Sequence, residues 1–189
     1  MKLFVKYMVS NRCKIVVKNI LNEIGLHFIL VDLGEVEVME NITSEQREVL
    51  KKALLEVGLE LIEDKKSILI ENVKILIIKL VHHTEEGVKI NFSDYLSEKL
   101  NYNYTYLANL FSEVQGTTIE HFIIYHKIEK IKELMFYGEL TITEIAYKMN
   151  YSSVAHLSTQ FKKVTGLSPY HFKQSKDKRR VPIEEIGSR

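Results

Sequence analysis

The chain of 189 residues carries 26 Lys or Arg against 25 Asp or Glu, a formal charge of +1, which excludes a polybasic tail protein and an acidic disordered one. With 46% hydrophobic residues and only 8 Gly and 2 Pro, it can bury a core and has little loop punctuation, which favours a mostly helical protein of one domain or two small ones. The one cysteine, Cys13, excludes an intrachain disulfide and a multi-thiolate zinc site, and no apolar run reaches the roughly 18 residues that span a bilayer. Lys2, Lys6, Arg12 and Lys14 interrupt any apolar core a signal peptide would need, so the expectation is a cytoplasmic protein of a reducing compartment with no membrane partner.

Strand formers dominate 2–7 and 28–33, and Glu35-Val36-Glu37-Val38 alternates as a third strand. Between the first two lies 11–24, with Val16, Ile20 and Ile24 at helical spacing. Thr43 and Gln46 form a capping box ahead of a helix to about Val57, Gly58 stops it, and 59–62 returns to strand. The order β-α-β-β-α-β predicts a ferredoxin-like domain over 1–64. A third helix is predicted from Lys65 to His83 with Asp64 as cap. Leu69, Val73, Leu76 and Leu80 make a short coiled-coil-like seam on it, and burial is favoured over a dimerisation stripe. Residues 84–90 read as a linker, so 65–90 connects two domains. Charge separates the halves as well: 1–83 is neutral, whereas 140–180 carries eight Lys and Arg against Glu144 and Asp177, an excess that suits a polyanion.

The second half repeats itself. At a constant offset of fifty, Leu107, Phe111, Val114, Gly116, His121 and Phe122 recur as Leu157, Phe161, Val164, Gly166, His171 and Phe172, and Leu100-Asn101-Tyr102 parallels Met149-Asn150-Tyr151 with one residue of slip. Each copy reads as a helix, a short turn and a second helix. In the first, Phe92, Leu96 and Leu100 are the buried stripe, Asn103 the cap, and Leu107 and Phe111 the core of the second helix. In the second, Thr141 and Glu144 form a capping box, Ile142, Ile145 and Met149 are buried, and Ser152 or Ser153 caps a helix that buries Leu157, Phe161 and Val164. Gly166 ends that helix, and Ser168 and Pro169 open a last short one. Thr117 and Glu120 are expected to cap a helix from 118 to about 136, with Phe122, Tyr125, Ile128, Ile131, Leu134 and Met135 forming its apolar stripe and Glu129 and Lys130 facing outward. Two crossed helices with a short turn are the helix-turn-helix, whose second helix enters the DNA major groove.

At these residues, from about Asn91 to Gln174 and most densely over Leu140–Phe172, the sequence resembles the AraC family of bacterial transcription regulators. The resemblance implies a seven-helix fold with two helix-turn-helix motifs over 91–176 and sequence-specific binding of double-stranded DNA. The sequence holds no Gly-rich phosphate loop, metal-spaced His/Glu set or nucleophile–base pair, so neither enzymatic activity nor a cofactor is expected. Asn150 stands where the family usually has glycine, a place that Asn tolerates by adopting the left-handed conformation. Carried over position by position, the base-reading residues are Thr105, Ala108 and Asn109 in the first motif and Val154, Ala155, Ser158 and Thr159 in the second. Lys99, Lys162 and Lys163 are expected on phosphates. No reading position holds arginine, the commonest partner of guanine, so an A·T-leaning site is expected. Residues 177–189 read as a flexible basic tail.

Residues 1–62 are similar to the heavy-metal-associated domain, which holds a soft metal in a Met-x-Cys-x-x-Cys loop. Here that loop reads Met8-Val9-Ser10-Asn11-Arg12-Cys13, with a hydroxyl for the first thiolate. One thiolate is a poor cage for copper(I) or zinc, so no metal site is expected. Cys13, between Arg12 and Lys14, is read as an inert, half-buried thiol in preference to a redox sensor. His121 and His171 recur in the repeat and are read as packing residues, and His156 as facing the core of its own helix. The chain is therefore expected to be an α+β transcription regulator whose N-terminal half senses or assembles, with a homodimer and a contact with RNA polymerase as its further expected partners. The rival reading is a metal-handling or thiol-sensing protein in which the N-terminal domain is the working part.

Overall fold

The computed structural model describes residues 1–84, 91–175 and 180–186. The chain divides into two compact units, Met1–Ile75 and Leu76–Arg189. The first contains β1 (Lys2–Lys6), α1 (Asn11–Ile24), β2 (Phe28–Asp32), β3 (Glu35–Val38), α2 (Ser44–Glu56) and β4 (Glu60–Ile62), and α3 (Lys65–His82) runs across the division. The four strands form one antiparallel sheet in the order β2-β3-β1-β4, with Leu3 opposite Val36 and Val5 opposite Leu61. Alternation sends Leu3, Val5, Val31, Val36 and Leu61 to one face, where they meet Val17 and Leu21 of α1 and Leu50 and Leu54 of α2. Each of these leucines is almost wholly buried and contributes about 1.5–3 kcal/mol. The capping box on α2 forms as its sequence predicts, Gln46 N–H donating to Thr43 Oγ1 at 3.2 Å and Thr43 N–H to Gln46 Oε1 at 3.0 Å.

Polar groups anchor the first half of α3. Asp64 Oδ2 accepts from Ser67 N–H at 2.7 Å, which starts the helix and holds the carboxyl below its ordinary pKa. Glu71 and Lys74 pair at 3.2 Å in a buried position, and Glu71 Oε1 accepts from the N–H of Tyr7 at 3.1 Å. Tyr7 has a φ of 69°, a strained value for a side chain of its size, which that hydrogen bond helps to hold. Of the expected seam only Val73 and Leu80 are buried; Ile70, Ile75, Ile77, Ile78 and Val81 are buried as well, whereas Leu69 and Leu76 are half exposed. The apolar surface of this helix is therefore broader than a two-residue heptad stripe. The expected linker at 84–90 lies, apart from Thr84, outside the described residues.

The second unit is all helix among its described residues: α4 (Phe92–Leu100), α5 (Tyr104–Gln115), α6 (Ile119–Tyr137), α7 (Ile142–Lys148), α8 (Val154–Thr165), α9 (Pro169–Gln174) and a short 3₁₀ turn at Ile183–Glu185. The internal repeat is repeated in space. Phe111 meets Phe122 edge-on at 5.4 Å, and their counterparts Phe161 and Phe172 meet at the same 5.4 Å. Asn101 and Asn150 take φ values of 57° and 54°, the left-handed turn in which Asn replaces glycine.

On α6 and the segment packed against it the structure departs from the expectations. Tyr125, expected in the apolar stripe, is 37% exposed. Glu129 is buried, not outward, because Lys132 reaches its carboxylate at 2.5 Å and Val181 N–H donates to it at 3.1 Å. Residues 180–186, expected within a loose tail, return to α6: Arg180 pairs with Glu133 at 2.8 Å and Ile186 is only 4% exposed. A cavity of about 290 Å³ lies beside that segment, lined in part by Tyr125, Val164 and Ile186.

Candidate nucleic-acid interface

Each recognition helix starts at a cap the sequence supplies. Asn103 Oδ1 accepts from Thr105 N–H at 2.8 Å to begin α5, and Ser153 Oγ accepts from His156 N–H at 3.0 Å to begin α8. Gly116 and Gly166 close the two helices in the left-handed conformation, at φ 67° and 79°. Burial of Leu107 and Phe111 in α5, and of Leu157 and Phe161 in α8, turns the opposite face of each helix outward.

The residues carried over from the resemblance lie on those outward faces. Thr105 and Asn109 are exposed and Ala108 is half-buried beside them on α5. Val154, Ala155 and Thr159 are exposed on α8, with Ser158 half-buried. The Thr159 hydroxyl donates to the Ala155 carbonyl at 2.9 Å, so the side chain's polar end is occupied within the helix and its methyl is left over. Lys162 and Lys163 are exposed in the last turn of α8, and Lys99 is exposed near the end of α4 with its ammonium 6.0 Å from the Tyr95 ring.

Sequence reasoning missed a pair of aromatic groups at the front of these helices. Tyr106 is exposed on α5 and stacks on Tyr102 from the turn, with ring centroids at 5.5 Å. His156 occupies the matching place on α8. It is exposed, contrary to the expectation that it faces the core; its Nδ1 lies 3.0 Å from Ser152 Oγ and its ring meets Tyr151 edge-on at 5.3 Å. The signal was present in the repeat, since Tyr106 and His156 are one offset of fifty apart and each immediately precedes a buried leucine. His121 and His171 also share one structural place: each N–H donates to the hydroxyl that caps its helix, Thr118 at 3.2 Å and Ser168 at 3.3 Å. The cap of α6 is thus Thr118, one residue later than expected.

Cys13 is half-buried, with its sulfur 3.4 Å from Ser10 Oγ and 3.9 Å from the Tyr7 carbonyl. Among the described residues no group of three or more His, Cys, Asp or Glu side chains is placed to hold a metal ion, and no helix is long and apolar enough to cross a membrane.

Residues 96–175 match the family described as a helix-turn-helix domain, and this part of the chain is a helix-turn-helix domain of the AraC type. Similar proteins include the uncharacterized HTH-type transcriptional regulator YtdP of Bacillus subtilis (strain 168), 24% identical over 106 residues, or 56% of this chain and 14% of that protein. An uncharacterized HTH-type transcriptional regulator of Staphylococcus aureus (strain MSSA476) is 32% identical over 78 residues, 41% of this chain and 10% of its own length. The chain thus spans a small fraction of the curated relatives it matches. Among solved structures, the C-terminal domain of AraT, a response regulator from Geobacillus stearothermophilus, is similar with a TM-score of 0.50 and 24% identity, covering 63% of this chain and 92% of that one; that likeness is one of fold.

Proposed function

We propose that residues 91–176 bind double-stranded DNA sequence-specifically, with α5 and α8 entering successive major-groove segments, and that the chain thereby regulates transcription. The observation that carries this reading is the spatial repeat: two helix-turn-helix motifs, each with the front of its second helix exposed, joined by α6. With 19 residues, α6 is about 28 Å long, close to the roughly 34 Å of one DNA turn. The local excess of Lys and Arg over 140–180 suits a polyanion. Thr105, Ala108, Asn109, Val154, Ala155, Ser158 and Thr159 read bases, while Lys99, Lys162 and Lys163 meet phosphates. One amide suits adenine, and the methyls of Ala, Val and Thr suit thymine, so the site leans toward A·T.

Residues 1–64 serve sensing or assembly. The strand order β2-β3-β1-β4 supports a ferredoxin-like reading of this unit, and the exposed Ile29 and Leu30 on edge strand β2 support its use in self-association. Regulation then works by bringing the bound domain to RNA polymerase or by blocking it. Selection of bound DNA from a random duplex pool tests the proposal. An enriched two-segment consensus with the segments about one turn apart supports it; recovery of no consensus over the input pool refutes it.

A further inference from the structure

We infer that Lys127 is a positioning residue for two-segment recognition, holding α8 at a fixed place relative to the first helix-turn-helix so that both recognition helices meet DNA at one spacing. This rests on the DNA-reading proposed above. Lys127 lies on α6, and its Nζ donates to the Met149 carbonyl at 2.9 Å. Met149 is the C-cap of α7, where the carbonyl end of the helix carries partial negative charge. The same ammonium lies 5.2 Å from the centroid of Tyr151 and 5.9 Å from that of Phe92, within reach of both ring faces. Phe92 belongs to α4 of the first motif, and Tyr151 to the turn of the second. Tyr151 passes the constraint on, because its hydroxyl donates to Gln160 Oε1 on α8.

The first recognition helix has a separate tie to the same connector, the Tyr104 hydroxyl donating to Glu120 at 2.5 Å. α6 is therefore tied to α5 directly and to α8 through the Met149–Tyr151 turn that Lys127 holds. Between the links runs a cleft of about 460 Å³ lined in part by Phe92, Tyr104, Glu120, Lys127 and Asn150, so side-chain packing does not fill the space between them. Burial lowers the Lys127 pKa from the ordinary lysine value, a cost that a solvated surface lysine does not bear. Apolar contact sets a distance between helices but tolerates sliding; a directional bond to one carbonyl fixes their register.

The experiment uses the full chain and the duplex that the wild-type protein selects. Its two contacted segments are moved one base pair closer or farther, and each segment is also offered alone. Lys127→Met keeps the apolar stem and removes the donor, Lys127→Arg keeps a donor, and Tyr151→Phe cuts the link to Gln160. Wild type and Lys127→Arg are expected to bind the native spacing about tenfold more tightly than either shifted one, the size of one charge-assisted hydrogen bond. Lys127→Met and Tyr151→Phe are expected to bind all three spacings alike while holding single segments as wild type does. If Lys127→Met does not fold, as judged by its melting transition, Tyr151→Phe carries the comparison. Retention of the native spacing preference by the donor-lacking variants overturns the inference, as does an equal loss on single segments, the mark of a residue that only holds the fold. A wild-type protein that selects no DNA takes the proposed function and this inference down together; one that selects DNA without any spacing preference sinks this inference alone.

Discussion

Thr159 offers a methyl where an arginine would offer a fork of donors. Its hydroxyl is engaged by the Ala155 carbonyl, which leaves no polar group at that place for guanine O6 and N7. Thr159→Arg is accordingly expected to create a preference for G at one position of the distal segment, worth about 1–3 kcal/mol against other bases. A variant whose selected consensus is unchanged contradicts this. The phosphate role proposed for Lys162 and Lys163 predicts a different outcome, since a phosphate contact carries no sequence information. Changing both to Gln is expected to weaken binding to all duplexes similarly and to flatten the salt dependence by about one unit of slope per lost contact. An altered consensus at constant slope speaks against that role. The outward faces of α5 and α8 were legible because helical spacing and the repeat together fix which side of each helix is buried. Glu129 and His156 were not: the burial of one depends on Val181, far along the chain, and the exposure of the other on a turn that carries the ring of Tyr151.

At the scale of the element, local chemistry was the legible part. Both capping boxes form between residues three apart, on α2 and on α7, and need nothing distant. The cap of α6 slipped by one because Thr117 and Thr118 are adjacent, and only the backbone decides which hydroxyl meets the His121 N–H. Ser153→Ala is expected to cost about 1 kcal/mol by leaving an N–H at the start of α8 unsatisfied, visible as a lower midpoint in urea. A harsher test lies in the hairpin between β2 and β3. Gly34 has a φ of 73°, which strains any side chain, and a Cβ there stands 2.0 Å from Ile75 Cδ1, so the buried end of Ile75 must also turn away. Gly34→Val is expected to cost more than about 2 kcal/mol, whereas Gly25→Ala, with open space at its Cβ, pays for its left-handed backbone alone. Equal melting points for the two variants contradict this account.

For the molecule as a whole, acid is the expected weakness of the second unit. His82 Nε2 lies 3.0 Å from His126 Nδ1, and burial pushes the His82 pKa down to about 4, with the nearby Lys130 adding to the effect. Because the unfolded chain takes up this proton near pH 6.5 and the folded one only near pH 4, stability is full above 6.5 and falls as the pH drops toward 4. The loss is about 2 kcal/mol after allowance for partial exposure, and His82→Asn should remove it; denaturant midpoints at pH 7.5 and 4.5 check both statements. The same histidine pair shows why the compact body begins at Leu76, ahead of the family match at 96. The other end of the match has its own consequence. A fragment cut at residue 175 for crystallisation or spectroscopy omits the Val181 N–H that meets Glu129, the Arg180 that meets Glu133, and the apolar cover that Ile186 supplies. Such a fragment would carry a bare patch on its connector helix, and its stickiness in solution would be an artefact of the scissors; ending at 186 keeps the latch closed.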